Sequence, residues 1–300
     1  MAGVFVVGSI NQDYVLRLER RPEPGETVTD AELALFPGGK GANQAVAAAR
    51  LLGPGRVSVL GRVGDDAAGP RLLENLGENG VDTTHVEAVE GATSGSAFIT
   101  VTPDGENAIV VSPGANRDFG PEEVESSAEA LRGASVLVAQ MEVGIEAIRH
   151  AAEIVTGAGG RVLLNLAPAR EAPSALLSAL DPLVVNEHEA TFLLGGAERD
   201  PERTAQALLS LGPRSAVVTL GAEGAALATP DGSSRHAAPR VEPVDTTGAG
   251  DAFVGALAAR LAEGDSLEEA VPYAVRAGAV ATTRPGAQGA LPYPEELARG

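Results

Sequence analysis

Cysteine and tryptophan are absent from this chain, and lysine occurs once in 300 residues, at Lys40. Without cysteine there are no structural disulfides, no thiolate zinc sites and no Cys nucleophile, and the composition fits a reducing compartment. Positive charge is scarce: 22 Lys and Arg stand against 41 Asp and Glu, a formal net charge of −19. That balance excludes a nucleic-acid or anionic-membrane surface, since both need a basic patch. It would also repel an anionic substrate at long range, so any phosphate site must be locally positive. Aromatic residues make up 3% and hydrophobic residues 44%, so a sizeable core is expected, built from Ala, Val and Leu. No apolar run approaches the ~18 residues of a membrane span. The N-terminus has no basic region ahead of its short apolar run, unlike a secretory signal. The expectation is a soluble, cytoplasmic protein.

Several familiar motifs are missing as well. Lys40 lacks the upstream glycine spacing and the following Ser or Thr of a Walker loop. Gly248-x-Gly250 has Phe253 where a dinucleotide fingerprint needs glycine, the four histidines show no metal spacing, and no Gly-x-Ser-x-Gly elbow occurs.

Short apolar runs alternate with Ala-rich helical patterns. Val4–Val7, Val57–Leu60, Val136–Ala139, Val162–Leu166, Leu183–Val185 and Ala216–Leu220 read as buried strands. Ala42–Leu52, Pro70–Asn79, Glu146–Val155 and Thr204–Leu211 have helical spacing. Continuous apolar strands between helices predict a mostly parallel sheet covered on both faces, a doubly wound α/β fold. Two regions break the pattern, approximately residues 14–36 and 93–111. In the second, Ser96–Thr102 and Ala108–Val111 flank the turn Pro103-Asp104-Gly105-Glu106-Asn107 and predict a hairpin. Together they predict a small β-flap on a single α/β domain spanning residues 1–300. Gln140, Glu142, Asn165, Asn186 and Thr219 fall just past consecutive strands, at the edge where parallel sheets bind ligands.

The strongest local signal is Asp245-Thr246-Thr247-Gly248-Ala249-Gly250-Asp251, running into a helical pattern from Ala252 to Leu261. A glycine-rich turn feeding a helix N-terminus offers N–H groups and a favourable dipole to an anion. Asp251 could simply cap that helix, which leaves the second acid, Asp245, unexplained. A carboxylate beside a phosphate cradle can accept a proton from an attacking hydroxyl. In phosphoryl transfer most catalysis is positioning and charge neutralisation. Lys40 sits in a second glycine-rich turn, Gly38-Gly39-Lys40-Gly41, where a compact ammonium suits a close backbone approach better than a guanidinium.

These residues resemble the ribokinase-like sugar kinases over nearly the whole chain, from Val4 to about Pro294. The resemblance rests on Gly8-Ser9-Ile10-Asn11-Gln12-Asp13, Pro24-Gly25-Glu26-Thr27, Gly38–Ala45, Gly64-Asp65-Asp66, Gly105-Glu106-Asn107 and Gly114-Ala115-Asn116. It continues through Asn186-Glu187-His188-Glu189, Thr219–Gly224, Asp245–Asp251 and Thr283-Arg284-Pro285-Gly286-Ala287-Gln288. It implies an ATP-dependent kinase of D-ribose forming ribose 5-phosphate, with a nucleoside, ketohexose or deoxy sugar as alternative substrates.

By that resemblance Asn11, Asp13, Gly39, Lys40, Asn43 and Glu142 would bind the sugar, and Asp251 would be the general base. Gly248, Ala249 and Gly250 would give N–H groups to the transferring phosphoryl. Asn186 and Glu189 would act near the phosphates and Mg²⁺, Glu189 through water. Thr219, Leu220, Gly221, Ala222, Glu223 and Gly224 would cradle the nucleotide. Asp245 and Thr247, with the carbonyls of Ala281, Arg284 and Gly286, would hold a K⁺ ion. Two departures stand out: Ala290 replaces a frequent Ser hydroxyl at the cation site, and Val275-Arg276-Ala277-Gly278 lacks a frequent Asn near the adenine. The β-flap would be a lid that pairs two copies into a homodimer. A sugar sensor without activity is disfavoured by the retained Asp251, Gly248–Gly250 and Asn186, and a structural or nucleic-acid role by the charge.

Overall fold

The computed structural model of the chain describes residues 3–103, 107–196 and 200–298. The centre of the expected hairpin turn, and with it Gly105-Glu106, lies outside those residues. Nine strands form the main sheet: β1 (Val4–Val7), β4 (Val57–Gly64), β5 (Val81–Val89), β8 (Val136–Gln140), β9 (Arg161–Asn165), β10 (Leu183–Asn186), β11 (Ala216–Thr219), β12 (Ala225–Thr229) and β13 (Gly232–His236). Their order is β13-β12-β11-β10-β9-β8-β1-β4-β5. All neighbours are parallel except β11–β12 and β12–β13. A second sheet of four strands contains β2 (Asn11–Arg17), β3 (Glu32–Gly38), β6 (Gly95–Val101) and β7 (Asn107–Ser112), in the order β3-β2-β6-β7. The expected doubly wound fold and separate β-flap are therefore both present. The apolar pattern of the sequence does not mark β5, β12 or β13. β5 alternates exposed and half-buried positions and β13 is largely exposed, so neither carries the continuous apolar run of a buried strand.

Strand alternation divides the core into two layers. Val4, Val6, Val136, Val138, Leu163, Val184 and Val217 pack on one sheet face, under the helices Lys40–Leu52, Ala249–Glu263 and Leu267–Ala281. Phe5, Val7, Leu137, Leu164, Leu183 and Val185 pack on the other, against the helices Ile145–Gly157 and Pro201–Leu208. Each fully buried Val or Leu contributes roughly 1.5–3 kcal/mol.

The shortage of large side chains has a direct geometric result. Where the Lys40–Leu52 and Ala249–Glu263 helices cross, a Cβ on Gly255 would lie 2.4 Å from the Ala47 Cβ and 2.9 Å from the Ala48 N. Only glycine against alanine permits that approach. One turn earlier on each helix stand Asn43, Gln44 and Asp251, so the crossing brings these three together.

The flap is rooted in the sheet by Asp66. Its carboxylate accepts the Ser94 N–H at 2.8 Å and the Ser94 hydroxyl at 2.7 Å. Register assigns the flap two faces, because paired residues share a side. Tyr14, Leu35, Phe98 and Val110 lie on one side, and Asp13, Phe36, Ala97 and Val111 on the other. The second side is the one turned to the candidate site, since Asp13 sits among its residues.

Candidate active site

Strand β1 divides the sheet order, with β4 on one side and β8 on the other. Parallel sheets bind ligands outside the carboxyl ends of their strands at such a switch point. Here the Lys40 helix begins. Gly39 caps it with φ 87°, a region that favours glycine, and has no side chain of its own to bond the first N–H groups. Glu142, just beyond β8, fills part of that gap: its Oε2 accepts the Lys40 N–H at 3.2 Å and the Ser9 hydroxyl at 2.5 Å. Asn11 is held by Asn116, which donates from Nδ2 to Asn11 Oδ1 at 2.9 Å and accepts the Ile10 N–H at 3.2 Å. Asp13 lies over Gly38, where a Cβ would come within 2.4 Å of its carboxyl atoms. Among the described residues none donates a hydrogen bond to the Asp13 carboxylate. Burial, and then the nearby carboxylates of Glu142 and Asp251, push its pKa up to about 7.

The Ala249–Glu263 helix begins three residues earlier than the hydrophobic spacing indicated. Gly248 is its N-cap at φ 77°, so Asp251 stands inside the first turn and is not the cap. The Asp251 residue is 7% exposed. Its Oδ2 accepts Asn43 Nδ2 and its Oδ1 accepts Gln44 Nε2, each at 2.9 Å. Asp251 first, then Glu142 and Glu189, hold the Lys40 ammonium above its ordinary pKa against the opposing effect of burial. The one lysine thus neutralises part of a cluster of acids.

Two cavities meet at this helix start. A chamber of about 250 Å³ is lined by Lys40, Asn186, Glu189, Gly248, Gly250 and Asp251, among others. A larger cleft of about 530 Å³ is lined by Thr219, Gly221, Ala222 and Gly224 on one wall and Phe253, Val275 and Gly278 on another. Thr219, Thr246 and Gly250 line both. The large cleft suits a nucleotide base and ribose, and the chamber suits phosphates beside an exposed helix N-terminus. Leu220 and Glu223 do not line the cleft: Leu220 packs in the core and Glu223 pairs with Arg235 at the surface. Asn186 and Glu189 cap the Glu187–Leu194 helix reciprocally, the Glu189 N–H to Asn186 Oδ1 and the Asn186 N–H to Glu189 Oε2, both at 2.8 Å. Burial raises the Glu189 pKa.

Asp245 and Thr247 stand in the loop before the helix. The Asp245 carboxylate accepts the Thr247 N–H on Oδ1 and the Gly286 N–H on Oδ2, each at 2.8 Å. Burial alone would raise its pKa, but the Thr247 hydroxyl and these N–H groups outweigh it and hold the carboxyl below its ordinary value. Ala281 ends the Leu267–Ala281 helix, and Arg284 pairs with Glu296 at 2.9 Å. Ala290 is fully buried and supplies no side-chain oxygen.

The motifs alone did not single out Gln44, Gln288, Ser9 or Asn116 as site residues. All four lie inside quoted motifs, but only the folded chain shows their amides and hydroxyl bonded to Asp251, Asn43, Glu142 and Asn11.

The pfkB family carbohydrate kinase model matches residues 1–294, and the chain belongs to that family. Among its relatives, a ribokinase of Staphylococcus aureus is 39% identical over 98% of each chain. A deoxyribokinase of Salmonella typhi is 37% identical, covering 98% of this chain and 97% of its own. The structure of Arabidopsis thaliana ribokinase complexed with ribose and ATP superposes with a TM-score of 0.93 at 34% identity, covering 100% of this chain and 98% of that one.

Proposed function

We propose that this protein transfers the terminal phosphoryl group of ATP to the primary hydroxyl of D-ribose, giving ribose 5-phosphate and ADP. The observation that carries the reading is Asp251: a buried carboxylate in the first turn of a glycine-capped helix, bonded to Asn43 on one side and lining a phosphate-sized chamber that opens to a nucleotide-sized cleft on the other. The resemblance to ribokinases of similar length supports the choice of sugar.

In this reading Asp13, with no donor of its own, takes hydrogen bonds from vicinal ribose hydroxyls, which a charged acceptor binds strongly. Asn11 and Glu142 bind further hydroxyls, each already oriented by Asn116 or Ser9. Asn43 has one N–H committed to Asp251 and keeps the other for the sugar. Asp251 accepts the proton as the primary oxygen attacks the γ-phosphorus, the bond to the β-phosphate oxygen breaks, and ADP leaves. The N–H groups of Gly248, Ala249 and Gly250 stabilise the charge on the transferring group. Lys40 offsets the acids around that group, so a strongly anionic protein tolerates a phosphosugar beside ATP. Closure of the flap over the sugar excludes water as a competing acceptor.

Mg²⁺ keeps several waters and is held chiefly by substrate phosphates, so one buried carboxylate at the chamber wall, Glu189, fits it through water. When bound it neutralises phosphate charge. The loop around Asp245 suits K⁺ in this reading: an ionised carboxylate keeps a lone pair on each oxygen beyond the Thr247 and Gly286 N–H bonds, and the carbonyls of Ala281, Arg284 and Gly286 would complete the set. The lack of a hydroxyl at Ala290 leaves this set one oxygen short.

The outer face of the flap supports a homodimer. Leu33, Leu35, Phe98 and Val110 are 44–69% exposed, and Tyr14 and Phe98 stack at 5.0 Å. A second copy of this chain would cover that apolar surface. A nucleoside substrate finds less support, because Phe119 is in the core and Phe98 is on the outer face. Of Phe36, Phe98 and Phe119, Phe36 alone lies on the sugar side. A 2-deoxy sugar is the second reading, favoured by the deoxyribokinase relative.

The test is ADP release with a panel of ribose, 2-deoxyribose, ketohexoses and nucleosides, with and without K⁺. Ribose should give the highest kcat/KM, and Asp251→Asn should abolish turnover while ribose still binds. A nucleoside or deoxy sugar preferred over ribose overturns the substrate; full activity in Asp251→Asn overturns the mechanism.

A further inference from the structure

The two amides that touch Asp251 share a feature. A primary amide can turn over and exchange its donor for its acceptor with little change in shape. If Asn43 turned over, its Oδ1 would face Asp251 Oδ2, acceptor against acceptor. Gln288 prevents this: its Nε2 donates to Asn43 Oδ1 at 3.0 Å, and its own Oε1 accepts Asn75 Nδ2 at 2.7 Å. On the other carboxylate oxygen the arrangement is similar but less complete: Gln44 Nε2 also donates to Asn165 Oδ1 at 3.0 Å, and Gln140 Oε1 has no partner among the described residues. Gln44 donates to Asp251, and Gln140 Nε2 donates to Gln44 Oε1 at 2.6 Å. Gln140 and Gln288 come from different elements, the end of β8 and a turn near the C-terminus. Both residues are buried, at 0% and 5% exposure. Arg50 fixes the Gln288 turn by donating to the Gln288 and Leu291 carbonyls, each at 2.8 Å.

Resting on the reading of Asp251 as the base, we propose that Gln140 and Gln288 are positioning residues. Each locks the amide that orients one oxygen of the Asp251 carboxylate. Neither touches the substrate. Loss of a lock lets Asn43 or Gln44 populate the inverted state, which turns an acceptor toward the carboxylate and moves it from the attacking hydroxyl. Misplacement of a reacting group by about 1 Å costs up to about 10²-fold in rate. One of two locks should be worth about tenfold.

The test is Gln288→Met, which keeps the length and removes the donor. Three quantities are measured beside Asp251→Asn: kcat, the Kd for ATP, and the melting temperature. The expected result is a kcat lowered about tenfold, with ATP binding within twofold and the melting temperature within a few degrees. Asn75→Leu, one step further out, should give the same split with a drop of about threefold. If Gln288→Met does not fold, Gln140→Met carries the test with the same expected split. An unchanged kcat in a folded lock variant, or equal losses in ATP binding and kcat, overturns the proposal. With Asp251→Asn inactive, that result removes the locks and leaves the base; an active Asp251→Asn removes both.

Discussion

Asp13→Asn should make the protein more stable and a poorer enzyme, and the gain should depend on pH in a predictable direction. Asp13 is a largely buried carboxyl with neighbouring acids and no donor among the described residues, and its pKa is pushed from 3.8 to about 7. In the folded state it therefore holds a proton that the unfolded chain releases near pH 4. Between about pH 4 and 7 the native state binds more protons than the unfolded state, so the stability linked to this group is complete below pH 4 and lost as pH rises to 7. Three units correspond to about 4 kcal/mol at 1.36 kcal/mol per unit. Asp13 keeps some exposure, and screening by water there reduces the expected cost to about 2 kcal/mol. Asparagine has the same shape and no charge, so the variant escapes the cost. For a chain of this length 2 kcal/mol is about 3 °C in melting temperature, at roughly 2.1 cal/mol/K per residue. Calorimetry on both proteins at pH 5 and pH 8 reads the effect as a difference, which cancels every other titrating group. The variant should melt about 3 °C higher at pH 8 and only about 1 °C higher at pH 5, where the unfolded carboxyl has ionised but the folded one has not. Its KM for ribose should rise about 10–100-fold, as a charge-assisted hydrogen bond is worth roughly 1.5–3 kcal/mol. A difference in melting temperature that is the same at both pH values, or a variant less stable at pH 8, refutes the reasoning.

Lys40→Ala should lower kcat about 10²-fold with a small change in melting temperature, since the residue offsets Asp251, Glu142 and Glu189 and is not part of the core; unchanged turnover with a lower melting temperature would refute its role. Gly255→Ala should gain about 1 kcal/mol of helix propensity and lose about 1–3 kcal/mol to overpacking against Ala47 and Gln44, so unfolding midpoints should fall while kcat drops with the displaced Gln44. Ala290→Ser should restore a side-chain oxygen beside the Asp245 loop and lower the K⁺ concentration for half-maximal activity, read from ADP release against K⁺. Val110→Lys places a charge on the outer face of the flap, where Val110 is 69% exposed; light scattering should show a shift from dimer to monomer with the fold intact.

Much of this molecule was legible in the sequence for a physical reason. Strands buried on both faces must be apolar throughout, and β1, β8, β10 and β11 were found within a residue of their bounds. Edge strands do not obey that constraint, and β5 and β13 were missed. The start of the Ala249–Glu263 helix was misplaced because a glycine turn has no hydrophobic period to mark where helical geometry begins. The same limit made Asp251 look like a possible cap, when its carboxylate is held by side chains more than two hundred residues earlier in the chain.

What the sequence could not display is the direction of the amides. The string contains Asn43, Gln44, Gln140 and Gln288 as four polar letters, and nothing local says which atom of each faces which neighbour. Direction arises from closure: Asp251 offers only acceptors, so the adjacent amides must donate, and the next amides must donate to them. A chain poor in lysine can therefore build a site for anions by ordering neutral donors, with one ammonium at the centre. Composition shows the scarcity of positive charge, and only the fold shows how it is offset. If that ordering rather than Lys40 alone sets the reactivity of the carboxylate, Lys40→Ala combined with Gln288→Met should lose the product of the two separate factors in kcat, because one acts through charge and the other through orientation. A loss no larger than that of Lys40→Ala alone would mean that the amides do nothing the ammonium does not already do.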